Sequence, residues 1–344
     1  MNKPVSIVIT PRDRYSGLVK CIEQIYLNTD VALFELLILD LGYPKNDMIQ
    51  LRQFLSTKDN YKIIEYGCII PMEAMDRVRP LLNSPYTVFM DNDSIPLGDW
   101  LPPLITTANR QNAAVVYPVT LERAGVDDGA DIRTHLYTTE FRVVDVENQP
   151  YLIEHKTYRR CLHEEIPKET TESQSFELHC VMFNTAIFKS IELPRITIRE
   201  HLDIGLQLKA RKLKLYVEPG SSILFDNLGT RAKFSDLRFF NLRWNKKITY
   251  QSSRLFEKRW GYKFYSEEAT YNWARRRRLF IFLRWLYFPI QIANKIDTLY
   301  AAVQRRLFPI WDPLTDPYSQ SKPLYELLNG SAPNQLDHTL NTAD

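Results

Sequence analysis

The chain has 344 residues, with 44 Lys+Arg against 41 Asp+Glu for a formal net charge of +3, and it is 44% hydrophobic and 25% charged. That is ordinary globular composition, which excludes wholesale disorder, collagen and coiled coil. The length exceeds the roughly 200 to 250 residues that one core comfortably holds, so a main domain with an appendage is expected.

Val5 to Ile9 reads as a buried strand, and Leu18, Cys21, Ile22, Ile25 and Tyr26 form a helical stripe. Phe34 to Leu39 is a second continuous apolar run, broken by the turn Asp40-Leu-Gly-Tyr-Pro. A helix over Met48 to Leu55, a strand near Tyr61 to Glu65, a helix over Glu73 to Leu82 and a strand from Tyr86 to Met90 continue the alternation. Such alternation means an α/β fold with a mostly parallel sheet flanked by helices. Ligands bind beyond the carboxyl ends of such strands, so Thr10 to Arg14, Asp40 to Tyr43 and Asp91 to Ser94 should meet at one rim.

From Val115 to about Glu177 the pattern is irregular and charged, as expected of strands and loops that cover a site. Apolar residues resume at Val181 to Phe188, then a helix over Glu200 to Lys212 and a strand from Leu213 to Val217, which Pro219-Gly220 should end. After Arg231 the chain turns basic, and beyond Trp311 it becomes a Pro-, Ser- and Asn-containing stretch. The expected division is a 1–230 main domain, a 231–310 basic, aromatic-rich helical extension and a 311–344 mobile tail.

The charge is unevenly placed. Residues 231–310 hold 18 Lys/Arg against 5 Asp/Glu, a local +13, so the rest carries 26 against 36, or −10. A basic segment behind an acidic body commonly meets phosphates. Four cysteines without a C-x-x-C pair, and an apolar N-terminal run too short for a secretory signal, point to a reducing, cytoplasmic setting.

Two motifs can carry chemistry. In Phe89-Met90-Asp91-Asn92-Asp93-Ser94, two carboxylates flank one residue just after a strand and suit a hard divalent cation, Mg2+ or Mn2+; the competing reading is a solvated turn. In Arg199-Glu200-His201-Leu202-Asp203, opening a helix, Glu200, His201 and Asp203 are all candidate general bases. The competing reading is a capping box between Thr197 and Glu200. Spacing leaves the three bases open, because residues three apart share a helix face and His201 is rotated about 100° from Glu200. His179 precedes the strand leading toward Glu200 and reads as a histidine held by backbone partners, while His135 and His155 read as surface residues.

Taken in order, Val5 to Arg14, Phe34 to Asp40, Phe89 to Asp93 with Gly98 to Leu101, Arg199 to Asp203, and Val217 to Pro219 resemble the family 2 glycosyltransferases of GT-A (Rossmann-like) fold, over about residues 4 to 226. The resemblance implies a metal-dependent, inverting transfer of a sugar from a nucleotide-diphosphate donor, expected to be UDP-linked, to a glycan or lipid-linked acceptor. Thr10, Pro11, Arg14, Asp40, Arg77, Asp91 and Asn92 would bind the nucleotide, although the family's usual Pro-Thr order is Thr10-Pro11 here. Asp91 and Asp93 match the family's metal-binding D-x-D. Glu200-His201 stands where the family has Glu-Asp, the second residue being the usual base. A third metal ligand, often a histidine in that family, is replaced after Pro219 by Phe225 and Asp226, which makes Asp226 the candidate.

The stretch 272–292 joins Arg275 to Arg278 with Phe, Trp and Leu, but its apolar part, Leu279 to Ile292, is shorter than the about 20 residues a bilayer span needs. An interfacial helix on the anionic inner face of the cell membrane and a helix packed on the catalytic domain are both open. Nucleic-acid binding is disfavoured, because the aromatics cluster with aliphatics instead of spacing out as stacking platforms. A non-catalytic binding or scaffold protein of the same fold is the competing function.

Overall fold

A computed structural model describes residues 3–123, 132–146, 148–226, 232–263 and 267–307. The predicted 311–344 tail lies outside the described residues. In chain order the first half comprises β1 (Val5–Thr10), α1 (Leu18–Asn28), β2 (Phe34–Asp40), α2 (Lys45–Leu55), β3 (Tyr61–Glu65), α3 (Pro71–Val78), β4 (Tyr86–Asp91), β5 (Ser94–Leu97), α4 (Leu101–Gln111) and β6 (Val115–Arg123). β7 (Ile132–Leu136), β8 (Thr139–Val146), β9 (Gln149–Lys156), β10 (Thr171–Ser173) and β11 (Cys180–Asn184) follow. The remainder is helical apart from one long strand: α5 (Thr185–Ser190), α6 (Glu200–Ala210), β12 (Leu215–Phe225), α7 (Phe234–Arg243), α8 (Lys246–Trp260), α9 (Glu267–Trp285) and α10 (Ile290–Leu307).

The main sheet has the order β10-β12-β6-β11-β4-β1-β2-β3, with β5 added to β12 and β7 to β6. β3, β2, β1 and β4 are parallel, β11 runs against β4 and β6, and β12 again runs with β6. Along this path only β10 and β11 oppose the common direction, so the sheet is mixed but mostly parallel. Helices flank it, an arrangement consistent with the GT-A, Rossmann-like expectation. The reason is legible in the strands. All six residues of β1 are buried, as are five of seven in β2, and such continuous apolar runs belong to strands covered on both faces.

Two details depart from the sequence reading. Pro219-Gly220 does not end β12, which runs on to Phe225 through a register shift between Glu218 and Ser222. Glu218 accepts the Gly220 N–H at 2.8 Å, so the bulge satisfies the backbone that the Pro-Gly pair would otherwise leave open. The predicted helix over Glu73 to Leu82 begins earlier, with Pro71 in its first turn, and tightens to a 3-10 turn over Arg79–Leu81.

The basic segment does not stand apart from the body. Phe239 of α7 belongs to the main core, Leu202 and Leu206 of α6 meet Phe256 of α8, and Phe240 meets Ala274 and Ile281 of α9. Burying a phenylalanine of this kind contributes roughly 2 kcal/mol. α9 and α10 then pair through Phe280, Leu283 and Ala293. No described helix is long and apolar enough to cross a membrane.

Candidate active site

Strand register brings the first two motifs together. Thr10, the last residue of β1, is opposite Asp91, the last of β4, and the Asn92 N–H donates to Thr10 O at 3.0 Å. The loop after β1 therefore lies against the Asp91–Asp93 turn. Asn92, wholly buried, ties them by donating from Nδ2 to the carbonyls of Arg14 at 2.9 Å and Tyr15 at 3.0 Å. The approach is close enough to demand glycine at 17, where φ is +114° and an added Cβ would sit 2.9 Å from Asn92 O. Asp236 of α7 pins the same loop, accepting from the N–H groups of Tyr15 and Ser16 at 2.8 and 2.9 Å and from the Ser16 hydroxyl at 2.7 Å.

The carboxylates are buried and faced by cations. Asp91 Oδ2 lies 3.0 Å from His179 Nδ1 and 3.6 Å from Arg12 Nε, and Asp93 Oδ2 accepts from Arg14 Nε at 3.1 Å. His179 reaches Asp91 because β11 runs antiparallel beside β4, and its ring stacks on Phe225 with centroids 4.0 Å apart. Its partner is thus a carboxylate and not the backbone groups expected from sequence. Burial works against its charged form, but the Asp91 hydrogen bond and charge raise its pKa above the ordinary imidazole value. His135 is likewise not a surface residue: it is partly buried, 3.1 Å from Glu122 and edge-on to His179.

Arg12 links this turn to the third motif. Its Nη2 lies 3.4 Å from Glu200 Oε2, and Arg243 Nη2 lies 3.4 Å from Glu200 Oε1. Arg243 also pairs with Asp13, whose Oδ1 accepts from Trp244 Nε1 at 2.8 Å. Although burial opposes ionisation in each case, Arg12 and Arg243 hold Glu200 below the usual carboxylate value, and Glu200 with Asp91 and Asp13 holds Arg12 above its own. Glu200 does not form the predicted capping box. The residue capping α6 is Arg199 at φ +62°, and the Thr197 N–H donates instead to Ser252 Oγ at 3.1 Å.

The three candidate bases splay in three directions. Glu200 faces Arg12 and Arg243. His201 turns to β9, with Nε2 3.0 Å from Glu154 Oε1 and a buried Nδ1 that has no hydrogen-bond partner. Asp203, fully buried, is taken by α8: it accepts from Arg259 Nε and Trp260 Nε1, both at 2.9 Å, and from Gln207 Nε2 at 2.7 Å. Glu154, Glu177 and His201 place ligand atoms within 4.8 Å of one another, the only such trio among the described residues. Arg199 donates to Glu154 at 2.8 Å and Lys156 pairs with Glu177, so the trio is a compensated ion network and not a preformed cation site.

The other predicted residues are more dispersed. Asp40, at the end of β2, caps its own turn by accepting from the Gly42 and Tyr43 N–H groups at 2.9 Å. Pro11 is buried beside Thr10. Arg77 is given to Glu73 at 2.5 Å and to the Tyr66 ring, not to the Asp91–Asp93 turn. Asp226 donates its N–H to Asp93 O at 2.8 Å, while its carboxylate takes Lys20 at 2.8 Å. Arg243, Asp236 and Glu154 were not read from the sequence. Of these Glu154 left a faint signal, a carboxylate closing the short apolar run Tyr151-Leu-Ile; Arg243 and Asp236 fall among many charges of the basic segment and left none.

A divalent cation fits the turn in one respect that the structure shows directly. Asp93 Oδ1 is buried without a hydrogen-bond partner, and burial lifts the Asp93 carboxyl to about 6 in spite of Arg14. That is an under-compensated anion, which a cation shared with Asp91 would relieve.

No protein-family model matches the chain, and no curated protein matches it. Among solved structures it is similar to a crystal structure of GalNAc-T7 with UDP, GalNAc and Mn2+, at 12% identity and a TM-score of 0.49, over 74% of this chain. The match takes in 50% of that chain, so this protein spans about half the length of the structure it resembles. At that distance the likeness is one of chain path and carries nothing about chemistry.

Proposed function

We propose that the chain is a glycosyltransferase that moves a sugar from a nucleotide-diphosphate donor, with inversion, to a hydroxyl of a glycan or lipid-linked acceptor. The observation that carries this reading is Arg12, which bridges Asp91 and Glu200 and so joins three motifs that lie far apart in sequence but recur in the family order. Asp91 and Asp93 are the residues that would hold Mn2+ or Mg2+, which when bound supplies positive charge to a diphosphate leaving group.

The chain's own cations favour the same chemistry. Arg12, Arg14 and the protonated form of His179 line the rim at which negative charge grows as the sugar–phosphate bond breaks, and they are fixed in place before substrate arrives. Glu200 positions Arg12 and Arg243. His201 is assigned the base: its Nε2–H donates to Glu154, which leaves a lone pair on Nδ1 to accept the proton of an acceptor hydroxyl. Asp203 is assigned a structural role in docking α8. Attack from the face opposite the leaving group inverts the anomeric carbon.

Mixing the protein with UDP-sugars and Mn2+ should release UDP, and Asp93→Ala should reduce that release by about a hundredfold or more while the protein stays folded. Undiminished release by Asp93→Ala overturns the assignment. Donor binding without turnover, with any acceptor, would instead make the chain a binding or scaffold protein. NMR of the product's anomeric proton tests inversion.

A further inference from the structure

A small cavity of about 30 Å³, room for one or two waters, lies between the Asp91–Asp93 turn and α9. Asp13, Arg14 and Asp93 form one wall, and Arg277, Phe280 and Arg284 of α9 form the other. Two groups in it are left over. Asp93 Oδ1 is an anion oxygen without a partner. Arg277, partly buried, makes no hydrogen bond or ion pair among the described residues, its guanidinium resting over the Phe280 ring at 5.0 Å. Burial and the neighbouring Arg14 push the Arg277 pKa down, and Asp13 and Asp93 offset this only in part.

An unpaired cation and an unpaired anion oxygen share one cavity and do not satisfy each other. A ligand that is itself a cation and an anion joined together answers both. A divalent metal bound to a diphosphate is such a ligand: Asp93 would hold the metal and Arg277 the phosphate. We propose that Arg277 is a diphosphate ligand of the donor site, so that α9 of the basic segment completes that site. The proposal rests on the nucleotide-diphosphate reading above and assigns it a residue outside all of its motifs. A diphosphate is larger than this cavity, so its entry requires the side chains of the α9 wall to give way.

Isothermal titration with Mn2+ plus inorganic pyrophosphate, and separately with Mn2+ plus UDP, tests it. Arg277→Ala should weaken both by about tenfold to a hundredfold, the loss of one charge-assisted phosphate contact, and Arg277→Lys should recover part of it. Arg275→Ala removes an equal charge from the exposed side of the same helix and should leave both affinities unchanged, which separates contact from long-range attraction. Wild-type affinity in Arg277→Ala overturns the role of Arg277 and leaves the transfer reading standing. A wild-type protein that binds neither pyrophosphate nor UDP overturns both. Intact pyrophosphate binding through Arg277 with no sugar transfer overturns only the transfer reading.

Discussion

Within one helical turn, Glu200, His201 and Asp203 are all candidate bases, and their surroundings separate them. A carboxylate clasped by Arg12 and Arg243 and held below its ordinary pKa is a poor proton acceptor, and one saturated by Arg259, Trp260 and Gln207 has no free lone pair to offer. His201→Gln should therefore lower kcat by about a hundredfold or more with little change in KM for donor. Asp203→Ala should instead act on the fold, costing roughly 3 kcal/mol because Arg259 and the Trp260 N–H lose a buried partner. Urea unfolding paired with steady-state kinetics separates the two; a catalytic loss without a stability loss in Asp203→Ala would reverse the assignment. The residue types at this turn were legible in the sequence, and their roles were not, because a helix fixes only the angle between side chains.

The α9–α10 pair packs through one face and exposes another. The inner face packs: Ala274 and Ile281 meet Phe240, and Arg278 donates to Trp244 O at 2.8 Å and to Asn241 Oδ1 at 2.7 Å. The outer face is turned to solvent. Leu286, Tyr287 and Phe288 form an exposed apolar turn, Tyr287 at 75% exposure, with Phe282, Ile292 and Leu299 also exposed nearby. Apolar bulk of that kind on a segment of +13 makes the membrane-docking expectation directly testable. A Leu286→Ser, Tyr287→Ser, Phe288→Ser variant should lose co-sedimentation with vesicles containing an anionic phospholipid while keeping UDP binding. Equal co-sedimentation of variant and wild type removes the reading. Within the arginine run, Arg276 and Arg278 are partly buried, with Arg276 3.7 Å from Asp297.

Across the molecule, paired buried charges couple the fold to pH. Burial would raise the Glu154 pKa, but Lys156, His201 and Arg199 hold it down at about 2. A carboxylate whose folded pKa lies below its unfolded value contributes stability that is present above about 4.5 and is lost as pH falls toward 2. Glu154→Gln should reduce stability at neutral pH by roughly 2 to 3 kcal/mol and flatten the acid limb between pH 4.5 and 2, read from urea midpoints across that range. An unchanged acid limb would place the stabilising charge elsewhere. The near-neutral total hides this arrangement, since cations of the basic segment turn inward: Arg243 reaches Asp13 and Glu200, and Arg259 reaches Asp203. By itself the sequence determined the α/β class, the parallel strands and the rim where Arg12, Arg14, Asp91 and Asp93 gather. Apolar periodicity and motif order are local properties of the chain, which is why a reading along it recovers them. Only the tertiary structure decided that His179 faces Asp91, that Glu154 faces His201, and that α9 covers the D-x-D turn. Those contacts join residues far apart along the chain, and pairwise geometry across a sheet or between helices leaves no periodic trace in either partner.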